Sequence, residues 1–302
     1  MSHAPAAAVR KEQVWDEELP TPAAPSSRLL AMWSLYVLTF RQHLHGRRWM
    51  VMGLLLSLPI GLAILIRATS DVAPSLGLEF MLVYLLIPQA LLPIVALVYA
   101  AGIIRDEQEE QTLTYLLIRP IPRWAIYSLK LLATLTATVI LVSVFTAFTF
   151  FAIYVGRHEP ISESCMRCLK AIAVHDLAVI AYCCLFGLVS LYTSRALVFG
   201  IVYTAIFEGL IANLPFGVRM ITVIYYCRSI SYQWLPFKMP EQQGYTEDLA
   251  ADFWKLDPKK MSEMISIPTC VAVLLGASFA FAVMGSLMCA RREFHVKTPE
   301  GN

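Results

Sequence analysis

Of the seven cysteines in the 302-residue chain, Cys165 and Cys168 form a C-x-x-C. That spacing can hold a metal through thiolates or cycle between dithiol and disulfide. A second pair is missing, and two thiols at i, i+3 also share a helix face as plain packing, so both readings stand. Cys183, Cys184, Cys270 and Cys289 lie in apolar runs and read as small apolar side chains, while Cys227 has no evident partner. Glu208 sits inside another apolar run. A charge at the centre of a bilayer costs about 2.5–3.5 kcal/mol, so this carboxylate should face other protein groups or a cavity. It can contact a transported substrate, make a structural hydrogen bond, or be protonated by desolvation. His175 and Asp176 open a further run and are placed to pair with each other or with lipid headgroups. Thr134, Thr136 and Thr138 suit helix packing better than a polar pore.

Other chemistry is absent from the sequence. It has no G-x-x-x-x-G-K-[ST] and no Gly-Lys pair at all, so no P-loop to cradle phosphates. H-E-x-x-H and G-x-S-x-G are missing too. We therefore expect no enzyme activity and no cofactor or metal in this chain.

The elements that must position these residues follow from composition. Hydrophobic residues make up 58%, charged residues 15%, and mean hydropathy is +0.61. Ordinary soluble domains carry about 25% charged residues, so this chain belongs in a membrane. A net charge of +2 gives no footprint for nucleic acid. No internal repeat is visible. The first apolar run begins near Trp49, too late for a cleavable signal, and residues 1–27, rich in Ala and Pro, read as a disordered cytoplasmic tail.

The expected fold is all-α, a polytopic membrane protein. Six apolar runs are long enough to span, at about 49–66, 79–104, 125–155, 171–192, 196–215 and 265–290. Pro59 should kink the first, and Pro88 and Pro93 lie in the second. Residues 28–48 alternate apolar groups with a basic end at Arg41, Arg47 and Arg48, as an interfacial helix does, although they could also extend the first span. Residues 216–264 form a long external loop, with short helices dipping toward the outer leaflet first and a solvated polar cap over 241–260. A tail of 291–302 closes the chain. Arg105, Arg119, Arg123, Arg195, Arg291 and Arg292 flank alternate run ends, which places both termini in the cytoplasm of an inner or plasma membrane. Arg157, Arg167 and Lys170 fit that rule less well.

Between the second and third runs lies the most organised stretch, 104–130. Arg105, Asp106, Glu107, Glu109 and Glu110 are followed by Leu113, Leu116 and Leu117 at the i, i+3, i+4 spacing of one helix face. Pro120 and Pro122 stop the helix, and Arg123, Trp124 and Lys130 make a basic, aromatic cluster suited to a membrane surface. Charge alone would explain solvation, but not the apolar ladder and the proline stop. A short amphipathic helix of this kind fits a groove on a soluble partner.

These residues resemble a motif of the membrane subunit of ABC-2 type transporters: an acidic pair, Gly-Thr-Leu, Leu-Leu, Pro, Arg and Gly-Lys after the second span. Glu107 and Glu109, Thr112-Leu113, Leu116-Leu117, Pro120, Arg123 and Lys130 follow that order, with Gln111 and Leu129 where the glycines usually stand. The resemblance implies an N-terminal elbow helix, a cytoplasmic coupling helix and docking of a separate ABC-type ATPase on Glu107, Glu109, Thr112, Leu113, Leu116, Leu117, Pro120 and Arg123. ATP and Mg would belong to that partner. It also implies a homodimer or a heterodimer with a similar permease, contact with membrane lipids, and export, with Glu208 a candidate pathway residue. A membrane scaffold for a soluble complex, or a lipid-modifying membrane enzyme, are the alternatives.

Overall fold

The computed structural model describes residues 28–69, 75–103, 121–156, 160–193, 195–214, 217–235, 237, 248–254 and 265–291. Among them every regular element is a helix. Six helices are long and apolar enough to cross a membrane: Arg47–Thr69, Ser75–Ala100, Arg123–Tyr154, Ile161–Tyr192, Ala196–Asn213 and Ile267–Arg291, the first to sixth spans. The chain is thus a polytopic all-α membrane protein. The first and third spans, and the third and fourth, pack side by side, and the sixth lies against the third and fourth.

The N-terminal helix, Arg28–His45, is separate from the first span because Gly46 between them is extended, at φ −74° and ψ 156°. It lies against the third span, where Tyr36 Oη donates to Thr136 Oγ1 at 3.2 Å and His43 Nε2 meets Thr134 Oγ1 at 3.0 Å. Leu29, Leu30, Trp33 and Leu38 on its other side are exposed. This end of the bundle, with Ile103 and Ile121, is the near end below. The end that holds Ser75, Tyr154 and Ile161 is the far end.

Prolines shape the spans as their missing amides require. The first span breaks at Ser57, two residues before Pro59, into Arg47–Leu56 and Leu58–Thr69. In the second, Phe80–Leu91 is a π-helix that contains Pro88, and Leu92–Ala100 then continues as α-helix. The fourth span begins at Ile161, ten residues before the expected start at 171. The polar residues 161–170 count against a span in a hydropathy reading. They are nonetheless helical, and Arg167 turns into the protein rather than to lipid.

A tyrosine sets the spacing of three spans. Tyr127 on the third is fully buried, and its ring and hydroxyl lie where Cβ atoms on Gly187 of the fourth span and Gly285 of the sixth would stand, at 3.1 Å and 2.5 Å. A side chain at position 285 would clash with the ring, and one at position 187 would be tight against the hydroxyl.

At the far end, the helix Val223–Trp234 follows the fifth span, and the short helix Leu249–Trp254 caps the bundle. Of the segment 241–260, expected as a solvated cap, only 248–254 is described, and there the expectation is corrected. Ala250, Ala251 and Trp254 are buried, and Trp254 packs on Phe80 and Phe237 with ring centroids 5.1 Å and 6.0 Å apart. The apolar residues of that segment outweigh its average polarity because they fall on one side of a helix.

Candidate functional site

The stretch 104–120 lies outside the described residues, and with it Glu107, Glu109, Thr112, Leu113, Leu116, Leu117 and Pro120. Its two anchor points are described. Ile103 and Ile121 are both buried. Lys130, about two turns into the third span, reaches back to donate from Nζ to the Ile103 carbonyl at 3.1 Å. Lys130 was expected at the membrane surface with Arg123 and Trp124. It is buried instead, its ammonium held by a carbonyl just past the C-terminal end of the second span, where the helix dipole favours a cation. Arg123 and Trp124 do stand exposed at the start of the third span. The same end is tied to the sixth span by a hydroxyl pair, Ser128 and Ser286, at 2.9 Å, and by Cys289 Sγ donating to the Arg123 carbonyl at 3.4 Å.

Glu208 lies on a π-helical turn, Thr204–Leu210, within the fifth span, and is fully buried. Its oxygens accept from the Val223 and Ile224 amides, both at 3.1 Å, and from the Tyr203 hydroxyl at 3.2 Å. Those two amides are the first donors of the helix Val223–Trp234 and have no partner within it. The Thr222 side chain adds a bond from the Tyr225 amide. The carboxyl group thereby caps a helix, which gives the structural alternative for Glu208 a definite geometry.

His175 and Asp176 do not pair with each other and do not open the fourth span; they sit midway along it. His175 is buried, with Nε2 3.0 Å from the Val83 carbonyl and Nδ1 3.1 Å from Thr146 Oγ1. Asp176 accepts from Ser143 Oγ at 3.0 Å through either oxygen. Adjacent residues on a helix point about 100° apart, so they serve different neighbours. Thr134 and Thr138 are buried and donate to carbonyls of their own helix, as packing threonines do.

Sequence reasoning missed the strongest polar contact. Glu79 of the second span is fully buried and receives the Arg167 fork, Nη2 at 2.9 Å and Nε at 3.0 Å and 3.1 Å. Tyr154 Oη also donates to Glu79, and the Arg167 guanidinium lies 5.9 Å from the Phe237 ring centroid. Arg67 closes the same end, bonding the Ala152 and Val155 carbonyls at 2.6 Å each, the last turn of the third span. The signal available was an acid and a base at the edges of two apolar runs, but pairing between runs is not visible in spacing.

Cys165 and Cys168 are both free thiols on the first turns of the fourth span. They line a groove of about 420 Å³ with Phe150, Phe151 and Tyr154. Among the described residues no three His, Cys, Asp or Glu side chains are grouped to hold a metal ion. Cys183, Cys184, Cys270 and Cys289 are buried among apolar groups.

The sequence model of one family, described as ABC-2 family transporter protein, matches residues 44–211. The match covers more than half of the chain and runs from the end of the N-terminal helix to the last turns of the fifth span. No curated protein matches.

Proposed function

The chain belongs to the ABC-2 transporter family, and from that premise we propose that it forms half of the transmembrane pathway of an exporter driven by a separate ATPase. It is a membrane permease, and the family's membrane component is not the ATPase itself. The coupling carries the proposal further. ATP and Mg are held by two ATPase subunits at the near end, which is the cytoplasmic end. The chain sits in a plasma or inner membrane with both termini on the cytoplasmic side. The N-terminal helix lies in the interface with Leu29, Leu30, Trp33 and Leu38 toward lipid.

The observation that supports this reading is the anchoring of the 104–120 stretch. Ile103 and Ile121 are buried, and Lys130 bonds the Ile103 carbonyl, so both ends of the stretch are held by the second and third spans. A docking helix between such anchors passes a push to the bundle rather than absorbing it. ATP closes the ATPase dimer, the helix carrying Glu107, Glu109, Thr112, Leu113, Leu116 and Leu117 moves with it, and Pro120 and Arg123 hand the motion to the third span. Two six-span copies, identical or similar, then rock between access states.

Co-purification tests it. The detergent-solubilised wild-type chain should retain a P-loop ATPase, and Leu113→Asp/Leu116→Asp should lose it. If no ATPase is retained, or the variant retains it equally, the coupling role is wrong and a scaffold without transport replaces it.

A further inference from the structure

Asp176 is held far more loosely than the other carboxyl groups buried in the described spans. Glu79 receives the Arg167 fork and the Tyr154 hydroxyl, and Glu208 receives two amides and the Tyr203 hydroxyl. Asp176 has one donor, the Ser143 hydroxyl, whose single proton is shared between its two oxygens. No described cation pairs with it. It lies midway along the fourth span and is only partly buried. An ionisable group at that depth faces a partner or a cavity.

The cavity is on the same seam. The third and fourth spans pack side by side and run antiparallel. Eleven residues make about three helical turns, so Tyr154 lies on the stripe of Ser143, and Cys165 on that of Asp176. Both line the groove of about 420 Å³ at the far end. Ala147, one turn from Ser143, lines it too. The groove therefore leads down the seam toward the carboxyl group. Phe151 and Ile161 in its wall are exposed, so it is open to an entering molecule.

The lining sets the chemistry of the occupant. Ala147, Phe150, Phe151 and Ile161 suit an apolar body, and the volume suits one of drug size. A lipid acyl chain would fill the groove but leave the carboxylate unpaired, since headgroups lie at the membrane surface. A bare metal ion would find too few ligands, for no three His, Cys, Asp or Glu side chains are grouped among the described residues. A protonated amine on an apolar body satisfies both ends, donating a charge-assisted hydrogen bond to Asp176.

We propose that the seam between the third and fourth spans binds a lipophilic amine, with its ammonium on Asp176 and Ser143 and its apolar body in the groove. That such an amine is the cargo rests on the exporter reading above; its binding does not.

The test is equilibrium binding of tritiated imipramine, a tricyclic amine, to the purified full chain in phosphatidylcholine nanodiscs without any ATPase. Saturable binding above empty nanodiscs is expected. Asp176→Asn should raise the apparent Kd at least tenfold, and Ala147→Trp, which fills the groove, should do the same. Iminodibenzyl, the tricycle without its amine, should displace at least tenfold more weakly than unlabelled imipramine. Absence of saturable binding overturns the proposal. So does an unchanged Kd in Asp176→Asn, which would make that group a structural contact. Should the variants not fold, the wild type decides: equal displacement by the amine and the neutral tricycle contradicts the site. With no ATPase present, a failed co-purification does not affect this result, and absent binding here leaves ATPase docking intact.

Discussion

Lys130 Nζ donates to the carbonyl oxygen of Ile103 at 3.1 Å, joining the third span to the segment just past the end of the second. The bond spans the whole stretch of 104–120 and makes its two anchors one unit. Lys130→Met leaves a buried carbonyl without its donor, a loss of about 1–3 kcal/mol. Thermal melting should show the loss, and hydrogen exchange should rise over residues 92–103. Unchanged exchange there would mean that the bond does not hold the end of the second span.

The Glu79–Arg167 pair makes a sharper prediction because both groups are buried. Removing one partner strands the other, at about 3–5 kcal/mol, while replacing both with apolar or neutral groups costs far less. Arg167→Met and Glu79→Gln should each destabilise strongly, and Glu79→Gln/Arg167→Met should recover most of the loss. A double-mutant cycle on melting temperatures measures the coupling; strictly additive losses would contradict a direct pair.

Glu208 can be assigned by one substitution. Every described partner is a donor: two amides and a hydroxyl. Glu208→Gln turns an NH2 group toward donors and should cost about 1–3 kcal/mol. As a cap, it should loosen the start of the helix Val223–Trp234, seen as faster hydrogen exchange over 223–227. Loss of transport with unchanged exchange would instead make Glu208 a pathway residue.

Tyr127 and Gly285 test the packing. An added Cβ at position 285 would lie 2.5 Å from the Tyr127 ring. Gly285→Ala should therefore cost about 1–3 kcal/mol by overpacking. Tyr127→Leu in the same chain should relieve part of that cost, since a smaller side chain frees the space. A neutral Gly285→Ala melt would show that the sixth span is free to move away.

The six spans were legible because a bilayer demands about twenty apolar residues in a row, and periodicity was not needed to find them. What composition hides is where charges turn. Arg167 and Lys130 counted as loop and surface cations, yet each is drawn inward by one acceptor that lies far away in sequence, Glu79 in one case and the Ile103 carbonyl in the other. Trp254 was lost in a polar segment for the same reason, its burial depending on Phe80 and Phe237. Glu208 was visible as an anomaly, but its partners, the amides of Val223 and Ile224, exist only once the chain has turned back after the fifth span.

The central claim is that the apolar ladder after the second span couples this permease to an ATPase. The measurement is ATP turnover of the co-purified complex in lipid nanodiscs, wild type against Leu113→Asp/Leu116→Asp, with the ATPase added back at saturating concentration. Coupling through the ladder predicts that the permease-dependent part of the turnover falls at least tenfold in the variant. Turnover equal to wild type would contradict it, and the ladder would then serve some other contact.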